Sequence, residues 1–208
     1  MAKSSNNPFA SSITAPSDVP HAARYPRSRI LIFAVIAAVG CLADLATKWW
    51  MFAQTDLRMG KVWWVAQDYA GVQLSLNEGA LFGMGQGYVW LFALFSLIAA
   101  VAIPVWLFRY AAADDLGLTI SLACVMAGVL GNLYDRLGMH SLKWFNDPER
   151  TGERVYAVRD WILLQWGPDY HWPNFNIADS LLVLGAAYLV IKAVLDKPRD
   201  DSVSRLNS

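Results

Sequence analysis

Four runs of about 20 apolar residues constrain this chain more than any other feature, because a run of that length is what an α-helix needs to cross the hydrocarbon of a bilayer. They cover residues 30–52, 88–110, 116–133 and 177–195. Within hydrocarbon each backbone N–H and C=O has to be satisfied inside its own segment, so each run is expected to be helical. The chain is therefore read as an all-α membrane protein with four transmembrane helices. Composition agrees, with 56% hydrophobic residues, 16% charged residues and ten tryptophans. Basic and acidic residues balance at 17 each without a basic run, so no nucleic-acid partner is expected.

Residues 1–29 are rich in Ser, Asn, Ala and Pro, lack an apolar period and end in Arg24, Arg27 and Arg29. They are expected to form a disordered cytoplasmic tail. Residues 30–195 then make one four-span domain, and 196–208, with Lys197, Pro198 and Arg199, form a second cytoplasmic tail. An even number of spans puts both termini on one face. Arg109, Lys192 and the two tails mark that face as cytoplasmic by the positive-inside rule, although Lys48, Arg58 and Lys61 dilute the bias. A cleaved signal peptide ending before Cys41 is set aside, since the apolar run continues past the cysteine and further spans follow.

The connection from residue 55 to 86 is polar, and Val72, Leu74 and Leu76 alternate with Gln73 and Ser75. That pattern predicts a small extracytoplasmic β-sheet beside the helices. Trp63 and Trp64 suit either the membrane interface or ordinary strand packing. Residues 111–115 form so short a turn that spans two and three must be antiparallel neighbours, and Pro104 is expected to kink span two. Residues 138–155, with Asn146, Pro148 and Gly152, read either as a loop that covers a site or as a surface insertion.

The unusual polar residues gather where the spans meet the outer face. Asp44 and Lys48, four apart, share a helix face and form either a structural ion pair or a substrate-facing pair. Asn77 and Glu78 precede Gly79, which permits close backbone approach or simply a turn. Asn132 and Arg136 share another face, with Asp135 beside them. Asn176 and Asp179 have the spacing of a helix cap. The segment 158–180 sets Asp160 and Asp179 at the two ends of an aromatic stretch, and two acids brought together in apolar surroundings can share a proton and activate water. His21, His140 and His171 lack ligand spacing, and Cys41 and Cys124 lie apart in apolar runs, so neither metal nor cofactor is expected.

Taken together, Asp44-Leu-Ala-Thr-Lys48, Asn77-Glu-Gly-Ala-Leu-Phe-Gly83, Gly131-Asn-Leu-Tyr-Asp-Arg136 and Trp172-Pro-Asn-Phe-Asn-Ile-Ala-Asp179 resemble the motifs of the lipoprotein signal peptidases (signal peptidase II), membrane aspartic proteases. The resemblance implies cleavage of prolipoproteins just before a cysteine that already bears a diacylglyceryl group, at the extracytoplasmic face of the bacterial inner membrane. It implies a catalytic pair of Asp160 and Asp179. Supporting roles follow for Asp44, Lys48, Asn77, Gly79, Asn132, Asp135, Arg136 and Asn176, with prolipoproteins and membrane lipid as partners. Two departures stand out: Arg159 occupies the usually apolar position before the first catalytic acid, and the segment from Arg136 to Asp160 is longer than the family's. A polytopic transporter or assembly factor that uses such acids only for ion pairing is the alternative, but it would favour acids at span centres.

Overall fold

The computed structural model describes residues 25–79, 85–145, 147–167 and 170–196. The distal parts of both expected tails, residues 80–83 of the loop motif and Asn146 lie outside the described residues. Four long helices carry the expected spans: α1 (Ser28–Phe52), α3 (Val89–Arg109), α4 (Leu116–Arg136) and α5 (Ile177–Leu195), with a one-turn helix α2 (Thr55–Arg58) after the first. Each is long and apolar enough to cross a bilayer. The third runs beyond residue 133, so Tyr134, Asp135 and Arg136 belong to its last turn. The second continues through Pro104 without a break.

α4 is the central helix. Most of its length is buried, whereas the other three leave most of theirs facing outward, and α1, α3 and α5 all pack against it. Lipid tails are as apolar as Leu, so helices in a bilayer are held by close packing, and small residues at the contacts allow it. A methyl group at Gly185 would stand 2.6 Å from the Ser121 carbonyl oxygen, and one at Gly128 would strike the Ala178 carbonyl. These glycines therefore set the α4–α5 approach.

A four-stranded antiparallel sheet caps the bundle, in the order β1 (Trp63–Ala66), β2 (Ala70–Asn77), β3 (Val158–Trp166) and β4 (Tyr170–Phe175). Only its first half was expected from alternation. β3 is buried along much of both faces, Arg159, Asp160 and Gln165 included, so its sequence shows no period-two pattern. Trp63 is a packing residue: it donates through Nε1 to Asp56 at 2.8 Å and lies against the cluster of Met51, Phe52, Leu57 and Val72 that seats the sheet on α1.

The ladder between β2 and β3 slips by one residue between Val72 and Ser75, and that between β3 and β4 slips between Ile162 and Leu164. A bulge of this kind bends a strand and re-aims its side chains. Beyond the first bulge Ser75 stands opposite Asp160 and Asn77 opposite Val158, while Leu74 and Leu76 pack toward the end of α1. The connection from α4 to β3 is anchored from within: Trp144, Val155 and Ala157 are buried, and the main chains of Lys143 and Arg154 form an antiparallel bridge.

Candidate active site

The site grows from the junction of β4 and α5. Asn176 caps α5, its Oδ1 accepting from the Asp179 amide at 2.9 Å while Asp179 Oδ2 accepts from the Asn176 amide at 3.3 Å, which closes a reciprocal capping box. Asp179 is thereby fixed in the first turn, where free N–H groups and the helix dipole favour a carboxylate. Its other oxygen accepts from Asn132 Nδ2 at 2.8 Å. The side-chain Nδ2 of Asn176 donates to Asp160 Oδ1 at 2.7 Å, so this one residue joins α5 to β3, bonding Asp160 through its side chain and the Asp179 carboxyl through its backbone N–H.

Asp160 is 1% exposed. Burial first, and then the nearby Asp179 charge, push its carboxyl up to about 8, partly opposed by Lys48 and by hydrogen bonds from Asn176 and Asn77. Asn77 holds its own turn as well, its Oδ1 accepting from Gly79 N at 2.9 Å and Gln86 Nε2 at 3.2 Å.

Below the two acids lies an ion network that crosses the bundle. Lys48 Nζ meets Asp44 Oδ2 at 2.7 Å, Asp135 Oδ2 at 3.0 Å and Asn132 Oδ1 at 3.0 Å. Asp44 Oδ1 accepts from the Ala178 amide at 2.9 Å. A methyl group at Gly131 would sit 2.5 Å from Asp44 Oδ2, so the glycine leaves the space that carboxylate fills. Asp135 takes a two-pronged bond from Arg159, with Nε at 3.0 Å and NH2 at 2.8 Å on Oδ1, and the Arg159 backbone amide at 3.0 Å on Oδ2. Asp44, Lys48 and Asp135 are fully buried, and no charge among them lacks an opposite. Arg136 turns the other way, donating to the Gly79 carbonyl at 3.1 Å and lying 5.6 Å over the Phe92 ring.

Lys48 and Arg159 balance Asp44 and Asp135, which leaves Arg136 against Asp160 and Asp179; the whole is neutral when the two acids hold one proton between them. A low-dielectric rim favours that state.

Two clefts meet over the acids. One, of about 350 Å³, is lined by Asp179, Arg136, Trp172, Phe175, Val183 and Leu184 and is largely apolar. The other, of about 440 Å³, is bordered by Asp160, Gln73, Ser75, Gln86 and Asn174. Asn77, Pro173 and Asn174 form their common wall.

The structure brings together all ten residues singled out in sequence, in two layers. Asp160, Asp179, Asn77 and Arg136 border the clefts; Asn132 and Asn176 bond to the acids; Asp44, Lys48 and Asp135 brace from below. Gly79 enters through its backbone. Of the two readings of Asp44 and Lys48, the geometry favours the structural pair. Sequence reasoning missed Arg159 as the partner of Asp135. Its signal was a charge inside an apolar strand, which cannot be buried unpaired. Among the described residues no cluster of His, Cys, Asp or Glu is arranged to hold a metal ion.

Comparison with known proteins gives a consistent picture. Residues 36–195 match the family model described as signal peptidase (SPase) II. A lipoprotein signal peptidase of Rhodopirellula baltica is 41% identical over 183 residues, spanning 86% of this chain and 80% of that protein. One of Pseudomonas putida is 31% identical over 88% of this chain and 97% of its own length. A solved bacterial membrane enzyme superposes with a TM-score of 0.64 at 25% identity, covering 86% of this chain and 94% of its own.

Proposed function

The chain belongs to the signal peptidase II family, and from that premise we propose that it is a membrane-embedded aspartic endopeptidase that removes signal peptides from diacylglyceryl-modified prolipoproteins, cutting before the lipid-bearing cysteine. The observation that carries the aspartic mechanism is the bridging of Asp160 and Asp179 by Asn176, which holds two carboxyls together at the meeting of two clefts. Asp179 accepts N–H bonds from Asn132 and from the cap and faces Arg136 across the apolar cleft, so it is the ionised partner. Asp160, in its buried strand, holds the shared proton.

In the reaction Asp179 takes a proton from a water molecule, the water oxygen attacks the scissile carbonyl, and Asp160 protonates the carbonyl oxygen. The roles reverse as the intermediate collapses and the amine leaves with a proton. The apolar cleft along α5 suits the acyl chains of a lipid-anchored substrate. Because that substrate diffuses in the same plane, its anchor sets the depth of the cut and supplies proximity. The site then lies at the extracytoplasmic rim of the bacterial inner membrane, with both termini in the cytoplasm.

The test is turnover of a diacylglyceryl-modified precursor peptide by purified Asp160→Asn and Asp179→Asn variants. Each is expected to lose cleavage while remaining inserted and folded. Substantial turnover by either would falsify the aspartic dyad.

A further inference from the structure

The trough beside Asp160 has features the dyad does not require. It lies where both ladders are interrupted: the β2 bulge falls at Gln73 and Leu74 and the β4 bulge at Pro173 and Asn174, and these four residues all border it. Residues in a bulge have no ladder partner, so their main-chain groups are left for other acceptors and donors. One is used internally, the Gln73 carbonyl accepting from Asn174 Nδ2 at 2.7 Å. The side chains of Gln73 and Ser75 have no hydrogen-bond partner among the described residues. The trough is thus an open polar cleft that reaches Asp160 and is bordered mostly by strand residues.

We propose that this trough binds the main chain of the substrate residues that follow the lipid-bearing cysteine, in extended form. The inference rests on the peptidase reading above and assigns a second half to the same site. Its chemistry is opposite to that of the neighbouring cleft, whose Trp172, Phe175, Val183 and Leu184 suit acyl chains. A precursor has the same polarity on its two sides of the cysteine: lipid and hydrophobic signal segment in the membrane, polar mature chain leading outward. Gln73, Ser75 and Asn174 offer both donors and acceptors, which suits a peptide backbone whatever its side chains.

The experiment uses the full-length protein in detergent with diacylglyceryl-modified precursor peptides that end one, two, three or five residues after the cysteine. A companion set carries a single N-methyl group on the main-chain amide of the second, third or fifth of those residues. KM should fall by about tenfold between the shortest and the three-residue peptides and then level off, as expected for one or two added hydrogen bonds. N-methylation at the second or third residue should raise KM about fivefold, and at the fifth should leave it unchanged. Equal KM for every length and every methylated peptide overturns the inference while leaving the peptidase reading intact. Failure of the protein to cleave any of the peptides overturns that reading and this inference with it.

Discussion

The acids of this site differ in what their loss should do. Asp135 is gripped by Lys48 and twice by the Arg159 side chain, all of them buried, so Asp135→Asn leaves Arg159 without a carboxylate and Lys48 with Asp44 alone. Breaking a buried pair from one side costs about 3–5 kcal/mol, and a lowered melting temperature is expected, with any residual activity at ordinary KM. Asp160 has a different signature. Its carboxyl, pushed up to about 8 by burial and by Asp179, keeps a proton in the fold that the unfolded chain releases near 3.8. Between those values the folded state binds more protons, so stability falls as pH rises. His140 has the opposite sign: burial pulls its imidazole from 6.5 to about 4, and it costs stability only as pH falls below 6.5. The window from pH 6.5 to 8 therefore separates Asp160 from His140. There the melting temperature of the parent should decline, and that of Asp160→Asn should stay nearly flat; parallel curves would show that Asp160 is not protonated in the fold.

The four spans were legible because apolar length is a direct physical demand of the bilayer, and the capping spacing of Asn176 and Asp179 because a helix end needs local partners. β3 and β4 were not, since a strand buried on both faces loses its alternation and Pro173 sits at a bulge that no local pattern announces. The Arg159 partnership was equally hidden, as it joins residues 24 positions apart. The α4–β3 connection illustrates how an insertion divides into parts. Residues 147–152 are exposed or half-buried and held by Arg150, which pairs with Glu78 at 3.0 Å and stacks 3.8 Å over Trp144, whereas Trp144, Val155 and Ala157 are buried against the sheet. Arg150→Ala should leave the unfolding free energy within about 1 kcal/mol of the parent, because exposed ion pairs contribute little. Since Glu78 adjoins Asn77, the same variant should raise KM a few fold if the connection helps to cover the site. An unchanged KM would mark it as a surface insertion.

The whole molecule has an inside and an outside that its exposed residues can report. Val65 on the sheet and Tyr110 beyond α3 are 85% and 73% exposed and lie at opposite ends of the bundle. In a chain with Cys41 and Cys124 replaced by serine, a membrane-impermeant maleimide added to intact spheroplasts should label Val65→Cys and spare Tyr110→Cys until lysis; the reverse pattern would invert the topology. The bond from Asp44 to the Ala178 amide spans 134 positions, from the first membrane helix to the last, and this carries a consequence for biosynthesis. Asp44 and Lys48 enter the bilayer long before Asp135, Arg159 or Ala178 has been made, so for that interval each neutralises the other as near neighbours on one helix. The two acids proposed as the catalytic pair meet only when the fourth span arrives, so on that reading the nascent chain is inactive until it has been inserted to the end.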